Sequence, residues 1–334
     1  MSTPRAAIVG LSGPVLLAEE VAMLRRLRPL GAILFARNVQ EPAQLAALTA
    51  AIREELGAEA PILIDQEGGR VARLRPPHWP AFPPAATFEG RPAGAAEANA
   101  TLLGLECAAM GLDVVCAPVL DLRLPGAHDI IGDRSFGATP DEVARLGAAW
   151  IAGLQAAGTI PVIKHIPGHG RALADSHLEL PRVSEASEVL EADLAPFRAL
   201  ASRGAWAMTA HILYPAFDAE LPATLSPRVI SEVIRGAIGF DGVLVSDDLA
   251  MRALRGVPGE LAAAALAAGC DLVLHCTGDL AETVSVLEGS APLTDRAAAR
   301  LAAAREATRL ASQGRADDPA ALAARRDALL REAA

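Results

Sequence analysis

Eight short apolar runs, rich in β-branched residues, recur along the chain with gaps long enough for a crossover helix. They are AAIVGL (6–11), GAILFA (31–36), PILIDQ (61–66), LDVVCAPV (112–119), PVIKHI (161–166), AWAMTAHI (205–212), GVLVSDD (242–248) and DLVLHC (271–276). Near-continuous hydrophobicity, in place of the alternation of a one-sided sheet, is what parallel strands buried on both faces require. Between the runs lie Ala/Leu/Glu/Arg segments with helical periodicity. One extends from Asp141 to Ala157, with Thr139 placed to cap it, Pro140 in its first turn and Gly158 after its end. Eight strand–helix repeats in roughly 280 residues predict the α/β class and a single (β/α)8 TIM-type barrel in preference to an open doubly wound sheet. The residues from Thr294 to Ala334, rich in Ala and Arg, predict the last helix and a C-terminal helical extension. No linker divides the sequence, so 1–334 reads as one catalytic domain, with a barrel core at about 5–290 and C-terminal helices in 294–334.

Composition narrows the function classes. Apolar residues make up 52% of the chain and charged ones 21%, enough for a large core and contrary to extended disorder. The 30 basic residues are scattered among 40 acidic ones for a net charge of −10, so no nucleic-acid footprint is expected. Aromatics are only 3%, too few for a base-stacking platform; a site aromatic would be a single one, such as Trp150, Trp206 or Tyr214. The longest uncharged run, Leu146 to Ile163, is broken by Gly153, Gln155, Gly158 and Pro161 and reads as helix, turn and strand, with no membrane span. Cys107, Cys116, Cys270 and Cys276 lack metal-type spacing, and three lie in apolar segments where a reduced thiol packs as a small hydrophobe. A reducing, cytoplasmic compartment is expected. The N-terminus reads as a first strand and not as a signal peptide.

The polar residues of the eight runs gather at one end. Asp65 and Glu67 close the third run, Asp121 follows the fourth, Lys164 and His165 close the fifth, His211 the sixth, and Asp247 and Asp248 the seventh. Barrel enzymes build their sites at the C-terminal strand ends, so five strands converging charged groups there point to catalysis. The segment K-H-I-P-G-H-G (164–170) followed by Asp175-Ser176-His177 adds a loop: Pro167, Gly168 and Gly170 prescribe irregular backbone that can close over a ligand. In Asp-x-His, the carboxylate can hold one imidazole nitrogen while the other faces substrate, which is acid/base architecture. His165, His169 and His177 match no common zinc spacing, and no metal is expected. The seventh run ends in two acids, and a rim carboxylate can attack an anomeric carbon to form a covalent glycosyl-enzyme. Since side chains alternate along a strand, only one of Asp247 and Asp248 can point into the barrel, leaving the other to brace the loop or cap the next helix. Spacing does not choose between them.

Five ordered segments together resemble glycoside hydrolase family 3: I-D-Q-E-G-G-R-V-A-R-L (64–74), A-P-V-L-D-L (117–122), I-G-D-R-S-F-G (131–137), K-H-I-P-G-H-G with D-S-H (164–177), and S-D-D-L-A-M (246–251). More narrowly they resemble its bacterial β-N-acetylglucosaminidase branch, which recycles cell-wall muropeptides, and the similarity extends from the first run to about residue 280. The resemblance implies Asp247 as nucleophile, His177 as acid/base and Asp175 as its partner. It implies sugar-binding roles for Asp65, Arg73, Arg134, Lys164 and His165, with His211 and Met208 near the same pocket. It implies a retaining exo-glycosidase acting on a small sugar or muropeptide without a cofactor, and a monomer is expected. A phosphorylase of the same family and a non-catalytic sugar-binding protein are the alternative readings. Ile166 stands where the family pattern has an aromatic, and Arg171–Ala174 where its loop is more polar.

Overall fold

The computed structural model describes residues 3–315 and 318–332. Eight strands, β1 Arg5–Gly10, β2 Pro29–Leu34, β3 Ile62–Ile64, β4 Val114–Val115, β5 Ile160–Ile166, β6 Trp206–Thr209, β7 Leu244–Asp248 and β8 Leu272–His275, pair in sequence order, and β8 returns to β1. Every pairing is parallel. The α/β barrel expected from the eight apolar runs is the observed fold. Several strands are shorter than their runs, most of all β4, because chain that leaves the ladder stays buried and apolar.

Helices α1 Ala18–Leu27, α2 Pro42–Leu56, α3 Ala93–Ala109, α4 Pro140–Ala156, α5 Ser187–Leu200, α6 Pro258–Ala268 and α7 Leu280–Gly289 surround the strands. The β6–β7 crossover is a π-helix, Val229–Ala237, whose apolar face is buried. The uncharged run resolves into α4, a turn with Gly158 at φ +81°, and β5. Thr139 stands at the N-cap of α4 with extended backbone, but its hydroxyl makes no capping bond, contrary to the role expected of it. Among the described residues, no helix is long and apolar enough to cross a membrane.

Alternation along the strands sorts side chains into two cores. Ile8, Ile33, Leu63, Val114, Val162, Trp206, Val245 and Leu274 fill the barrel, whereas their neighbours Val9, Leu34, Ile64, Val115, Ile163, Ala207, Leu244 and Val273 pack against the helices. Helix α8, Asp295–Ser312, closes the barrel bottom: Leu301 and Ala304 join the interior cluster. Thr294 caps α8 by accepting from the Ala297 amide at 3.1 Å. Helix α9, Pro319–Arg331, lies against α3, where Arg326 meets Asn99 at 3.3 Å. The predicted C-terminal helices are thus present; its residues 316–317 and 333–334 lie outside the described ones.

Asp271, entering β8, ties α8 to the barrel. Its Oδ1 accepts from Arg300 Nη1 at 2.8 Å, and its Oδ2 from Arg235 Nη2 and the Leu244 amide, both at 2.9 Å. Removing one partner of a buried ion pair strands the other charge. Asp271→Ala, which takes the acidic partner from Arg235 and leaves Arg300 only the exposed Asp241, is expected to lower unfolding free energy by about 3 kcal/mol in urea titration. Turnover per folded molecule should stay unchanged, since the bottom of a barrel carries stability and not chemistry.

Candidate active site

Carrying the alternation upward places the polar groups. Leu63 points into the barrel, so Asp65 and then Glu67 rise above it; Val162 leads to Lys164, Trp206 to Met208, and Val245 to Asp247. These side chains line a cavity of about 360 Å³, an ordinary size for a small-molecule site. Arg73, Arg134, His165, His169 and His177 add to its polar wall, and Ile33, Phe35, Met251, Leu274 and Cys276 to its apolar side.

The mouth of the barrel is an ionic lattice. Lys164, only 2% exposed, places its Nζ 3.0 Å from Asp65 Oδ1 and 2.6 Å from Glu67 Oε1. Arg134 grips Glu67 through two bonds of 2.8 and 2.9 Å, and Arg73 donates to Asp65 Oδ2 at 3.1 Å. Burial alone would raise the Glu67 carboxyl, yet Arg134 and Lys164 outweigh it and hold the group at about 2. Asp65, desolvated but facing Lys164 and Arg73, is likewise held below the ordinary carboxylate range. Desolvation of Lys164 is overcome by the same two acids, so its ammonium stays charged. Three cations and two anions leave this lattice with a surplus positive charge and forked donors facing the cavity.

On the neighbouring wall, Asp121 follows β4 and accepts from His165 Nδ1 at 2.6 Å and from the His169 amide at 2.6 Å. His169 is buried, and desolvation followed by the nearby His165 pushes its ring down to about 4, so it stays neutral at physiological pH. Its Nε2 lies 3.2 Å from Ser176 Oγ, which ties the two halves of the loop after β5. His177 differs from both. Its side chain is 60% exposed, and its Nδ1 lies 2.8 Å from Asp175 Oδ1, which also accepts from the His177 amide at 2.8 Å. The sequence spacing Asp-x-His therefore becomes an oriented pair at the cavity rim, with Nε2 free to face a ligand.

The two acids of β7 both border the cavity but are held differently. Asp247 lines the cavity; its Oδ1 accepts from the Asp248 amide at 2.8 Å. Burial would raise its carboxyl, but His211, His165, that amide and Lys164 outweigh it, so the group lies below its ordinary value and is an anion at neutral pH. Asp248 Oδ1 accepts from the Ala250 and Cys276 amides, both at 3.0 Å. It braces the strand end; α6 begins only at Pro258, so Asp248 caps no helix.

Asp65, Arg73, Arg134, Lys164, His165, Met208, Asp175, His177 and Asp247 thus stand around one cavity or directly behind its rim, whereas His211 does not. It is fully buried beyond the end of β6, where its ring nitrogens meet the Thr224 hydroxyl and the Asp248 carbonyl. The expected single aromatic is also different. Trp150 packs edge-on against Phe88 and Phe136, Trp206 fills the barrel interior, and the Tyr214 hydroxyl donates to the Gly168 carbonyl at 2.6 Å. Phe35, just beyond β2, is the lining aromatic, with Arg37 and Arg73 at 5.0 and 5.3 Å from its ring centre. Glu67 and Asp121 carry structural charge pairing that their strand-end positions advertised but did not assign. All four cysteines are free and buried.

The displaced Glu67 carboxyl fixes the sign of an acid-stability effect. Its folded value is below the ordinary value of 4.5, so the anion contributes stability that is complete above about pH 4.5 and is lost as pH falls toward 2. Glu67→Gln should therefore lower stability at pH 7 by about 3 kcal/mol and show a shallower acid decline between pH 4.5 and 2. Denaturant midpoints measured across that range check both statements.

Comparison with known proteins agrees with this geometry. The model of the glycosyl hydrolase family 3 N-terminal domain matches residues 15–304. A β-hexosaminidase of Alkalilimnicola ehrlichii is 46% identical over 279 residues, covering 80% of this chain and 80% of the relative. One from Pseudomonas aeruginosa is 41% identical over 275 residues, with coverages of 80% and 81%. Among solved structures, NagZ from Neisseria gonorrhoeae in complex with N-trifluoroacetyl-D-glucosamine superposes with a TM-score of 0.83 at 33% identity, covering 98% of this chain and 97% of that one. A family 3 β-N-acetylglucosaminidase from Paenibacillus gives a TM-score of 0.81 at 38% identity, over 94% of this chain and 63% of that longer one. With a matching barrel, a family model that spans most of it and relatives this similar, the chain belongs to glycosyl hydrolase family 3 and is a glycoside hydrolase.

Proposed function

We propose that the chain is a retaining exo-β-N-acetylhexosaminidase that removes a terminal β-linked N-acetylglucosamine. The observation that carries this reading is the pairing, around one cavity, of an anionic Asp247 at the tip of β7 with an exposed His177–Asp175 pair on the loop after β5. The names and the bound sugar analogue of the relatives give the same substrate class.

In the first step Asp247 attacks the anomeric carbon as the glycosidic C–O bond breaks, and the His177 imidazolium gives its Nε2 proton to the departing oxygen. A glycosyl ester on Asp247 results. In the second step neutral His177 takes a proton from water, the oxygen bonds to the anomeric carbon, and Asp247 leaves as the carboxylate with net retention. A histidine replaces the second carboxylate usual in such enzymes. Asp175 holds the ring by accepting from its Nδ1 at 2.8 Å, which turns Nε2 toward the leaving oxygen. Lys164, Arg134, Arg73 and Asp65 offer forked donors and an acceptor for sugar hydroxyls and the N-acetyl group. We assign the natural substrate as N-acetylglucosaminyl-1,6-anhydro-N-acetylmuramic acid, with or without its stem peptide, and the setting as peptidoglycan recycling in the cytoplasm by a monomer.

A 5-fluoro N-acetylglucosaminyl fluoride should label Asp247, identified by peptide mass spectrometry, and labelling of another residue would sink the covalent assignment. His177→Ala should lose about 10²–10⁴-fold on substrates with sugar leaving groups and much less on dinitrophenyl glycosides, whose departure needs little protonation. An equal loss on both would make His177 a binding residue. Turnover of the anhydro-disaccharide should release free N-acetylglucosamine at the same rate with or without phosphate; N-acetylglucosamine 1-phosphate as product would make the enzyme a phosphorylase.

A further inference from the structure

Behind the cavity wall, the Asp247–Asp248 segment is held by a chain of hydrogen bonds among residues that solvent does not reach. The Asp247 amide donates to Thr209 Oγ1 at 3.3 Å, and Thr209 Oγ1 lies 2.7 Å from Thr224 Oγ1. Thr224 Oγ1 lies 2.7 Å from His211 Nδ1, and His211 Nε2 lies 3.0 Å from the Asp248 carbonyl oxygen. Thr209, Thr224 and His211 are each 0% exposed. A carbonyl only accepts, so Nε2 carries the ring proton and the bare Nδ1 accepts from the Thr224 hydroxyl. Thr224 then accepts from Thr209, and Thr209 from the Asp247 amide. Every proton in the chain points the same way. The Ala210 carbonyl, 3.2 Å from Thr224 Oγ1, is the longer alternative for that hydroxyl.

This chain begins on the N–H of Asp247 and ends on the C=O of Asp248, so it clamps the two-residue unit from both sides. Between those ends the Asp248 amide donates to Asp247 Oδ1. That bond couples the carboxylate's orientation to the backbone that the clamp fixes, and leaves Oδ2 without a protein donor among the described residues. We infer that His211 is a positioning residue for the nucleophile, acting through Thr224 and Thr209 and never touching the sugar. The inference rests on Asp247 being the nucleophile. Misplacement of a reacting atom by about 1 Å can lower a rate about 10²-fold, so a clamp at this point acts on the chemical step while the sugar-binding lattice of Lys164 and Arg134 stays in place.

The test uses the full-length enzyme with dinitrophenyl N-acetylglucosaminide for kcat and KM, the 5-fluoro fluoride for the rate of covalent labelling, and thermal melting for stability. His211→Phe and Thr224→Val should each lower kcat and the labelling rate constant about 10–100-fold with KM within about twofold of the parent. Thr224→Ser, which keeps the hydroxyl, should recover most of that loss. His211→Gln, which keeps a donor at the Nε2 position, should retain more activity than His211→Asn, which keeps only the acceptor at Nδ1. Should His211→Phe fail to fold, the Thr224 pair still decides. Lower melting temperature with unchanged kcat and labelling would reduce the chain to packing and overturn the inference. A rise in KM with kcat intact would also overturn it, by returning His211 to the sugar. Failure of the underlying reading looks different: the parent enzyme would then be labelled at a residue other than Asp247.

Discussion

Lys164 carries an ammonium into the top of a barrel whose lower interior is wholly apolar, and that placement governs the rest of the site. A buried cation without partners is prohibitively unfavourable, so Asp65 and Glu67 must stand within bonding distance. Those two acids in turn need more positive charge than one lysine supplies. Arg73 and Arg134 provide it from segments far apart in sequence, which fixes the loops after β3 and β4 against the mouth of the barrel. The result is a rigid, charged floor beneath the position where a sugar would lie.

The two groups to which the proposed reaction is assigned are mounted differently. Asp247 stands on a strand, with its amide, its carboxylate oxygen and its neighbour's carbonyl all engaged. His177 stands on a loop, more than half exposed, and is held locally by Asp175. The loop itself is moored at several points: His169 to Asp121 and Ser176, Tyr214 to the Gly168 carbonyl, and Arg171 to Asp193 at 2.6 Å. Under the proposed mechanism, a nucleophile fixed on a strand and an acid on a moored but accessible loop suit a reaction in which the leaving group departs and water enters by the same path.

Arg171 anchors this loop from within: in the run Arg-Ala-Leu-Ala, the arginine reaches down to a buried acid on α5 while Leu173 points to solvent.

Much of this was legible in the amino-acid sequence. Eight apolar runs spaced by helical segments pointed to the barrel, because parallel strands buried on both faces need helices on their connections, and eight such repeats match barrel closure better than an open doubly wound sheet. The positions of the acids, Lys164 and the histidines at the run ends determined which face would carry chemistry, and Asp175 to His177 is a contact two residues long that spacing alone specifies. Tertiary structure decided the rest. Choosing Asp247 over Asp248 from the residues alone requires the phase of the alternation, which only the closed barrel sets. Glu67 as the bridge between Arg134 and Lys164, Phe35 as the lining aromatic and His211 behind the wall all depend on which strands become neighbours. Sequence fixes what each strand end can do; whether a side chain there meets ligand, a buried ion or its own backbone is a property of three dimensions, because the deciding partners are separated by tens of residues.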